Sequence, residues 1–261
     1  MASGARTLFR SQTLAGRSVV NARGEDLGRI EEFVIDPDRG RIEYAVLSFG
    51  EIFGSGEKFF AVPWEALQLD GERRHFVMNV AKETLEEAPG FDPDTWPPSP
   101  DRRMFRRAEH AGGHVLSTST HSHAGHADLT TKSREDTTMA HSERTMTHTR
   151  MLSASTLSGN PVVNGQGEDL GSIKELMLDI NGGTVVYAVL SFGGFLGLGD
   201  KLFAIPWDAM TVEAGSERLV LDVPKEKLEN APGFDKDDWP ETGDDEWLGA
   251  VYDYYGSERN W

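Results

Sequence analysis

The chain of 261 residues contains no cysteine. This absence excludes disulfide bonds, cysteine-ligated zinc, iron–sulfur clusters and thiol catalysis. Long hydrophobic runs are also missing, because no apolar stretch reaches the roughly 18 residues that a membrane-spanning helix needs. The first twenty residues carry three arginines but no continuous apolar stretch, so we expect no secretory signal. Together these absences predict a soluble, cytoplasmic protein.

Basic residues are scarce beside acidic ones. There are 26 Lys and Arg against 43 Asp and Glu, which gives a net charge of −17. Nucleic-acid phosphates and anionic membrane surfaces both require clustered positive charge. We therefore expect no nucleic-acid partner and no membrane insertion. The acidity is uneven, since residues 151–261 carry a net −13 and residues 1–97 a net −6.

An internal repeat organises the chain. Residues 14–97 match residues 157–240 without a gap at a constant offset of 143, and about half of the paired positions are identical. The motif GEDLG occurs at 24–28 and 167–171, and YAVLSFG occurs at 44–50 and 187–193. Each copy is large enough to bury a core of its own. The chain thus contains two copies of one domain.

The repeat predicts four parts: a first domain over 12–97, a linker over 98–150, a second domain over 151–240 and an acidic, aromatic tail over 241–261. The linker holds 15 Ser and Thr and seven of the eight His. Such a composition buries too little apolar surface to offset the entropy lost on ordering. We therefore expect the linker to be disordered.

Each copy has the pattern of short strands separated by turns. Ile42–Phe49 is the strongest strand, and the imperfect alternation over Leu27–Asp36 indicates a bulge. Pro37 and Gly40 frame a turn, because proline presets φ and glycine accepts a positive φ. Six strands and one short helix, Lys82–Ala88, predict a mainly all-β fold of small, nearly closed barrels.

The order of these motifs resembles a known family. GEDLG, YAVLSFGG, the Gly-rich loop, DKLFAIPW at 200–207 and the terminal helix are similar to the PRC-barrel domain. That family takes its name from the cytoplasmic domain of the photosynthetic reaction centre H subunit and includes a domain of a ribosome maturation factor. The segment 231–240 and Tyr254-Tyr255-Gly256 resemble small bacterial members. The H subunit's transmembrane helix has no counterpart here.

The Gly-rich loops at 50–58 and 193–201 carry the candidate partner-binding residues. A phosphate loop would lead into a helix, whereas a strand pattern follows each of these loops. Their tips are apolar, so they either fold back as barrel plugs or bind a partner. The candidate residues are Ile52, Phe53, Phe195, Leu196 and Leu198.

No catalytic constellation recurs in both copies. The acid pairs Glu25-Asp26 and Glu168-Asp169 lie in turns, where short carboxylates cap backbone N–H groups. Asp36 and Asp179 are interpreted as turn residues as well. The sequence therefore predicts a protein that is not an enzyme, with no catalytic residues and no cofactor. The tryptophans that recur at equivalent positions, namely Trp64, Trp207, Trp96 and Trp239, are expected to be core or capping residues.

The resemblance implies a non-catalytic interaction or scaffold protein that supports electron-transfer or RNA-processing assemblies. Because both loop tips remain apolar, we expect the barrels to bind a protein partner or each other, within one chain or as a homo-oligomer. A metal-binding protein is the alternative. His121, His123 and His126 could hold Zn, Ni or Cu, although no acid or cysteine completes a fixed site, so no metal ligands are assigned.

Overall fold

The computed structural model describes residues 8–50, 57–92, 95–100, 102, 104–105, 151–193, 200–213, 216, 218–240 and 244–259. The first repeat contains β1 (Leu8–Arg10), α1 (Ser11–Leu14), β2 (Ser18–Val20), β3 (Asp26–Asp36), β4 (Arg41–Phe49), β5 (Lys58–Pro63), a 3₁₀ turn (Trp64–Ala66), β6 (Leu67–Asp70), β7 (His75–Met78) and α2 (Lys82–Glu87). The second contains β8 (Leu152–Ser153), α3 (Ala154–Leu157), β9 (Pro161–Val163), β10 (Asp169–Asp179), β11 (Thr184–Gly193), β12 (Asp200–Pro206), a 3₁₀ turn (Trp207–Ala209), β13 (Met210–Val212), β14 (Leu219–Leu221), α4 (Lys225–Glu229) and α5 (Asp245–Tyr255).

Both repeats use the same strand pairing, and the predicted β-rich fold is confirmed. In the first repeat β2, β3, β4 and β5 pair antiparallel in order, β7 joins β2 in parallel, and β6 pairs with β7. The second repeat pairs its strands in the same way. The predicted bulge is present, because the register of β3 against β4 shifts between Ile30 and Glu32 and again between Val34 and Ile35.

The N-terminal arms of the two repeats, β1 with α1 and β8 with α3, are exchanged. Strand β1 pairs with β10 of the second repeat, with Arg10 opposite Met177. Strand β8 pairs with β3 of the first repeat, with Ser153 opposite Val34. These two registers are identical once the offset of 143 residues is applied. The two repeats are therefore related by an approximate twofold arrangement within one chain.

The sheets meet at a seam between β4 and β11. Arg41 lies opposite Thr184, the Ile42 N–H donates to the Gly183 carbonyl at 2.9 Å, and the Val185 N–H donates to the Gly40 carbonyl at 2.8 Å. The described strands consequently form one hydrogen-bonded sheet. A single hydrophobic cluster also runs through both repeats, from Leu14 in the first to Leu228 in the second.

A separate apolar layer lies outside the second barrel. Helix α5 is capped at its N-terminus by Asp244, whose carboxylate accepts from the Glu246 and Trp247 N–H groups, and at its C-terminus by Gly256 with φ 72°. Its buried residues, Leu248, Val251 and Tyr252, pack on the outer face of β10, β11 and β12. Among the residues that the structure describes, no helix combines the length and apolar character needed to span a bilayer.

Candidate functional site

The five loop residues that the sequence nominates for partner binding lie outside the described residues. Ile52 and Phe53 belong to 51–56, and Phe195, Leu196 and Leu198 belong to 194–199. The histidines of the linker likewise lie outside the described part of the chain. Within that part, no group of three or more His, Asp or Glu side chains is placed to hold a metal ion.

The start of the predicted linker lies against the first repeat. Phe105 is buried in the shared core, and the Tyr44 hydroxyl donates to the Pro97 carbonyl at 2.6 Å. Arg102 pairs with Glu43 at 3.1 Å and with Glu65 at 3.3 Å. Although burial works against its charge, the hydrogen bonds that the Arg102 guanidinium donates to these two glutamates, together with their negative charges, raise its pKa.

The turn interpretation of the paired acids is confirmed. Asp26 Oδ1 accepts from the Gly28 N–H at 3.0 Å, and Asp169 Oδ1 accepts from the Gly171 N–H at 2.9 Å. Glu25 binds the Asn21 side chain, whose Oδ1 in turn accepts two backbone N–H groups of the same turn. These carboxylates therefore stabilise the backbone of the turns that precede β3 and β10.

The two turns that follow β3 and β10 are built on Asp36 and Asp179. Asp36 Oδ1 accepts from the Asp38 and Arg39 N–H groups, and its Oδ2 pairs with the Arg39 guanidinium at 3.0 Å. Asp179 Oδ1 accepts from the Asn181 N–H at 2.9 Å. Gly182 stands at the position of Arg39, so this turn supplies no arginine to its own carboxylate.

Trp64 and Trp207 are buried, as predicted, and each also donates a hydrogen bond across the seam. The Trp64 indole N–H donates to the Ile180 carbonyl at 3.3 Å, and the Trp207 indole N–H donates to the Pro37 carbonyl at 3.0 Å. Both acceptors are main-chain atoms of the other repeat. Each ring therefore recognises the backbone of a turn rather than a particular side chain.

Glycine is required opposite each indole. A Cβ on Gly40 would lie 2.4 Å from Trp207 Cδ1, and a Cβ on Gly183 would lie 2.4 Å from Trp64 Cδ1. Such distances are shorter than any normal carbon–carbon contact, and both glycines also have positive φ. The D-x-x-x-G turns thus serve recognition between the repeats as well as chain reversal.

The later tryptophans differ between the repeats. Trp239 is held by a contact with Phe234 at 5.2 Å between ring centroids and by the Arg10 guanidinium 3.6 Å above its ring. It therefore caps the second barrel, as predicted, and ties it to the first arm. Trp96, at the equivalent position, is 40% exposed and is not part of the core.

A cleft of about 520 Å³ opens at the Trp207 end of the seam. One wall is the turn Pro37–Gly40 of the first repeat, and the opposite wall combines β11, the Trp207 turn and Tyr252 of α5. Its charged lining residues are Asp38, Arg39, Asp179 and Asp208. Its volume is in the range of sites that bind small molecules or single side chains.

Three features of this region were not predicted from the sequence. The exchanged arms carry no motif that distinguishes pairing within a repeat from pairing across repeats. The burial of Glu175 was not predicted either, because a single glutamate within a strand pattern does not indicate a structural or functional role. Helix α5, in contrast, could have been predicted from the sequence. It has an acidic N-cap at Asp244, apolar residues at 248, 251 and 252, and Gly256 at its end.

The fold and the seam define a class: paired small β-barrels that exchange arms and share a core. The PRC-barrel domain model matches residues 6–85 and again residues 150–228, which together exceed half of the chain. The chain therefore belongs to the PRC-barrel family and carries two tandem copies of the domain. No curated protein matches it.

Proposed function

We propose that this chain is a non-catalytic scaffold in which two PRC barrels form one platform for a protein partner. The observation that carries the proposal is that the two repeats share one hydrophobic core and one sheet. This sharing prevents either barrel from rotating independently of the other. A shared core fixes the described strands of the two barrels relative to each other, and such preorganisation lowers the entropic cost of binding a partner.

The chemistry of the described carboxylates agrees with this role. Asp26, Asp36, Asp169 and Asp179 accept backbone N–H groups in turns. Glu175 caps the exchanged helix α1. Each of these acids therefore has a structural task. Membership of the PRC-barrel family supports the same interpretation.

The contact surface that we propose includes the apolar loop tips at Ile52, Phe53, Phe195, Leu196 and Leu198. Photo-crosslinking from positions 53 and 195 in the native cell, followed by mass spectrometry, tests it. Crosslinking from position 71, in a β-hairpin turn away from the seam, is the matched control. We expect the same protein from both loop positions and not from position 71.

With the photoreactive residue placed at positions 52 and 196 instead, a triple variant, Phe53→Ser, Phe195→Ser and Leu198→Ser, should lose the protein that the parent captures from those two positions, while it retains the melting temperature of the parent. Trp96→Ser controls for the removal of an exposed aromatic side chain elsewhere. Crosslinks of equal yield from all three positions would contradict a specific docking surface, and turnover of a substrate by the purified chain would contradict a non-catalytic scaffold.

A further inference from the structure

An arginine and a tyrosine share the outer face of the second barrel. Arg10 of the exchanged arm lies opposite Met177, which lies opposite Tyr187, so the three residues form one row across β1, β10 and β11. Met177 and Tyr187 belong to the outer apolar layer, as does Leu8. Because residues two apart in a strand share a face, the Arg10 side chain lies on the same side of the sheet as Leu8. Arg10 and Tyr187 therefore face the same way, two strands apart.

A series of ring contacts joins these two side chains. Trp247 contacts Tyr187 at 5.8 Å between ring centroids and Phe234 at 6.3 Å. Phe234 also contacts Trp239 at 5.2 Å, and the Arg10 guanidinium lies 3.6 Å above the Trp239 ring. Burial raises the pKa of the Tyr187 hydroxyl, and the nearby charge of Arg10 works in the opposite direction. The guanidinium and the hydroxyl therefore belong to one site, which we call the arm site and define as Arg10, Tyr187 and Trp239.

Both polar groups of the arm site have unused hydrogen-bonding capacity. Trp239 covers one face of the guanidinium, but the Arg10 N–H groups lie along its edges and, within the described ranges, reach no acceptor and no carboxylate. Tyr187 is 2% exposed, and its hydroxyl has no hydrogen bond to any residue that the structure describes. The fully enclosed unpaired hydroxyls of that part of the chain belong to Ser158 and Tyr255, so the Tyr187 oxygen retains contact with solvent.

The first repeat treats the same location differently. The Tyr44 hydroxyl, the equivalent of the Tyr187 hydroxyl, donates to the Pro97 carbonyl at 2.6 Å. The pairing of β8 with β3 also places Ser153 where β1 has Arg10. An unpaired hydroxyl and an arginine therefore occur together at these positions in the second repeat and not in the first.

We propose that Arg10 and Tyr187 bind a carboxylate that a protein partner presents on an aspartate or glutamate side chain. A carboxylate fits these donors, because two guanidinium N–H groups can bind both of its oxygens while a phenol O–H donates to a remaining lone pair. Stacking on Trp239 holds the guanidinium in one orientation, which lowers the entropic cost of binding.

The charge of the chain favours a partner over a free anion as the source of this carboxylate. Residues 151–261 carry a net −13 and repel any anion. A small free carboxylate has no other contacts to offset that repulsion, whereas a carboxylate on a protein surface arrives with further contacts. The inference rests on the proposed scaffold function and specifies one group on the partner.

Titration of the full-length protein with N-acetylaspartate amide, followed by NMR, tests the arm site. N-acetylasparagine amide has nearly the same shape without the charge and is the control ligand. We expect saturable binding of the charged probe with shifts of the Trp239 and Trp247 indole signals. Binding of the neutral probe should be about tenfold weaker or absent.

Variants localise the binding. Arg10→Gln removes the charge and should weaken binding of the charged probe about tenfold, and Arg29→Gln, which removes an exposed charge from the first barrel, is its control. Tyr187→Phe removes only the unpaired hydroxyl, so the fold is retained while binding weakens about threefold to tenfold. Tyr44→Phe removes the equivalent hydroxyl of the first repeat. Both control variants should leave the affinity unchanged.

Crosslinking in the native cell identifies the source of the carboxylate. A photoreactive residue at position 238, which is exposed and precedes Trp239, should capture a protein through a peptide that contains aspartate or glutamate. Arg10→Gln should lower this capture about tenfold, and Arg29→Gln should not. Replacing that acid of the captured protein by its amide should have the same effect as Arg10→Gln.

Equal binding of both probes, or an affinity that neither Arg10→Gln nor Tyr187→Phe changes, would overturn the inference. Probe binding without any protein captured from position 238 would assign the site to a free carboxylate and refute the partner as its source. The scaffold function is tested separately by the loop crosslinks from positions 53 and 195. If these persist while the probe fails to bind, the arm site alone is refuted. If the probe binds and neither loop captures a protein, the proposed loop surface is refuted instead.

Discussion

At the scale of single residues, the seam depends on glycines that leave room for an indole. Gly24 and Gly40 both have positive φ, at 78° and 59°, but an added Cβ meets nothing within 4 Å at Gly24 and meets Trp207 at 2.4 Å at Gly40. Comparing an alanine substitution at Gly24 with one at Gly40 therefore separates the cost of backbone strain from the cost of disturbing the contact between the repeats.

We predict that Gly40→Ala destabilises the protein more than Gly24→Ala. Gly24→Ala should cost about 1 kcal/mol from backbone strain alone. Gly40→Ala should cost about 2–4 kcal/mol, because overpacking against the indole adds to the strain. Urea unfolding measures both values. Equal losses would mean that the ring moves aside at little cost.

Tyr44 links the first barrel to the segment that follows it. Its hydroxyl donates to the Pro97 carbonyl at 2.6 Å, and burial, with a smaller contribution from Glu43, raises its pKa to about 12. The ordinary pKa of a tyrosine is about 10. The folded state therefore keeps a proton that the unfolded state releases between these two values.

We predict that stability is lost as the pH rises from 10 towards 12. The contribution of Tyr44 is complete below pH 10, because both states are then protonated, and it falls above that pH. Urea unfolding at pH 8 and pH 11 tests this for the parent and Tyr44→Phe. The variant should lose less stability between the two pH values; an identical loss would assign the effect to other groups.

At the scale of elements, the arms show how the two copies diverged. Helix α1 begins after Arg10, which provides no side-chain cap. Glu175 of the other repeat takes this role, since it accepts the Ser11 hydroxyl at 2.6 Å and the Gln12 N–H at 3.4 Å. Helix α3 instead has its own cap, because Ser153 accepts the Thr156 N–H at 2.9 Å.

We therefore predict that Glu175→Ala costs more stability than Glu32→Ala, its equivalent. Removing Glu175 leaves buried donors unsatisfied, which should cost about 1–3 kcal/mol. Glu32 accepts the Ser155 N–H at a longer 3.3 Å, and α3 keeps its serine cap, so the cost should be about 0.5–1 kcal/mol. Comparable costs would show that the exchanged contacts contribute equally in both arms.

The elements also show what the sequence could predict. The turn at 37–40 and the bulge after Ile30 have local causes, so proline, glycine and broken alternation were sufficient signals. Burial of Trp64 and Trp207 followed from their apolar rings. Their acceptors, the Ile180 and Pro37 carbonyls, could not be predicted, because a backbone acceptor in a distant turn leaves no mark in the sequence.

Helix α5 is a different case. The sequence contains its caps and its spacing of apolar residues, but composition alone predicts an acidic, aromatic tail over 241–261. The structure shows that its buried residues cover an apolar sheet face and that the Tyr252 hydroxyl donates to the Val186 carbonyl at 2.7 Å. The helical spacing of apolar residues over 245–255 therefore indicates the structure of this segment better than its net charge does.

At the scale of the whole molecule, the interface is self-complementary. Each repeat presents an arm, a tryptophan and a glycine turn, and receives the same three features from the other. The acceptors for both indoles are main-chain carbonyls at equivalent positions. Pairing consequently does not require that the two repeats differ, nor that one peptide chain joins them.

We predict that the two halves remain associated when the chain is cut between them. A protease site inserted within 106–150 of the full-length protein allows cleavage after folding. Because exchanged arms and a shared core hold the halves together, they should co-elute in size-exclusion chromatography at the mass of the intact chain. A variant with Gly40→Ala and Gly183→Ala, which obstructs both indoles, should separate on cutting, or should separate on dilution at a higher protein concentration than the parent. Unfolding and refolding a mixture of cut proteins with two different tags then tests self-complementarity, since halves of the same kind should also pair. Recovery of mixed halves alone would show that residues differing between the repeats, such as Glu175 with its bond to Ser11, select the partner. If the cut halves of the parent sequence separate at micromolar concentration, the association depends on the linker, which keeps the two halves at a high effective concentration in the intact chain.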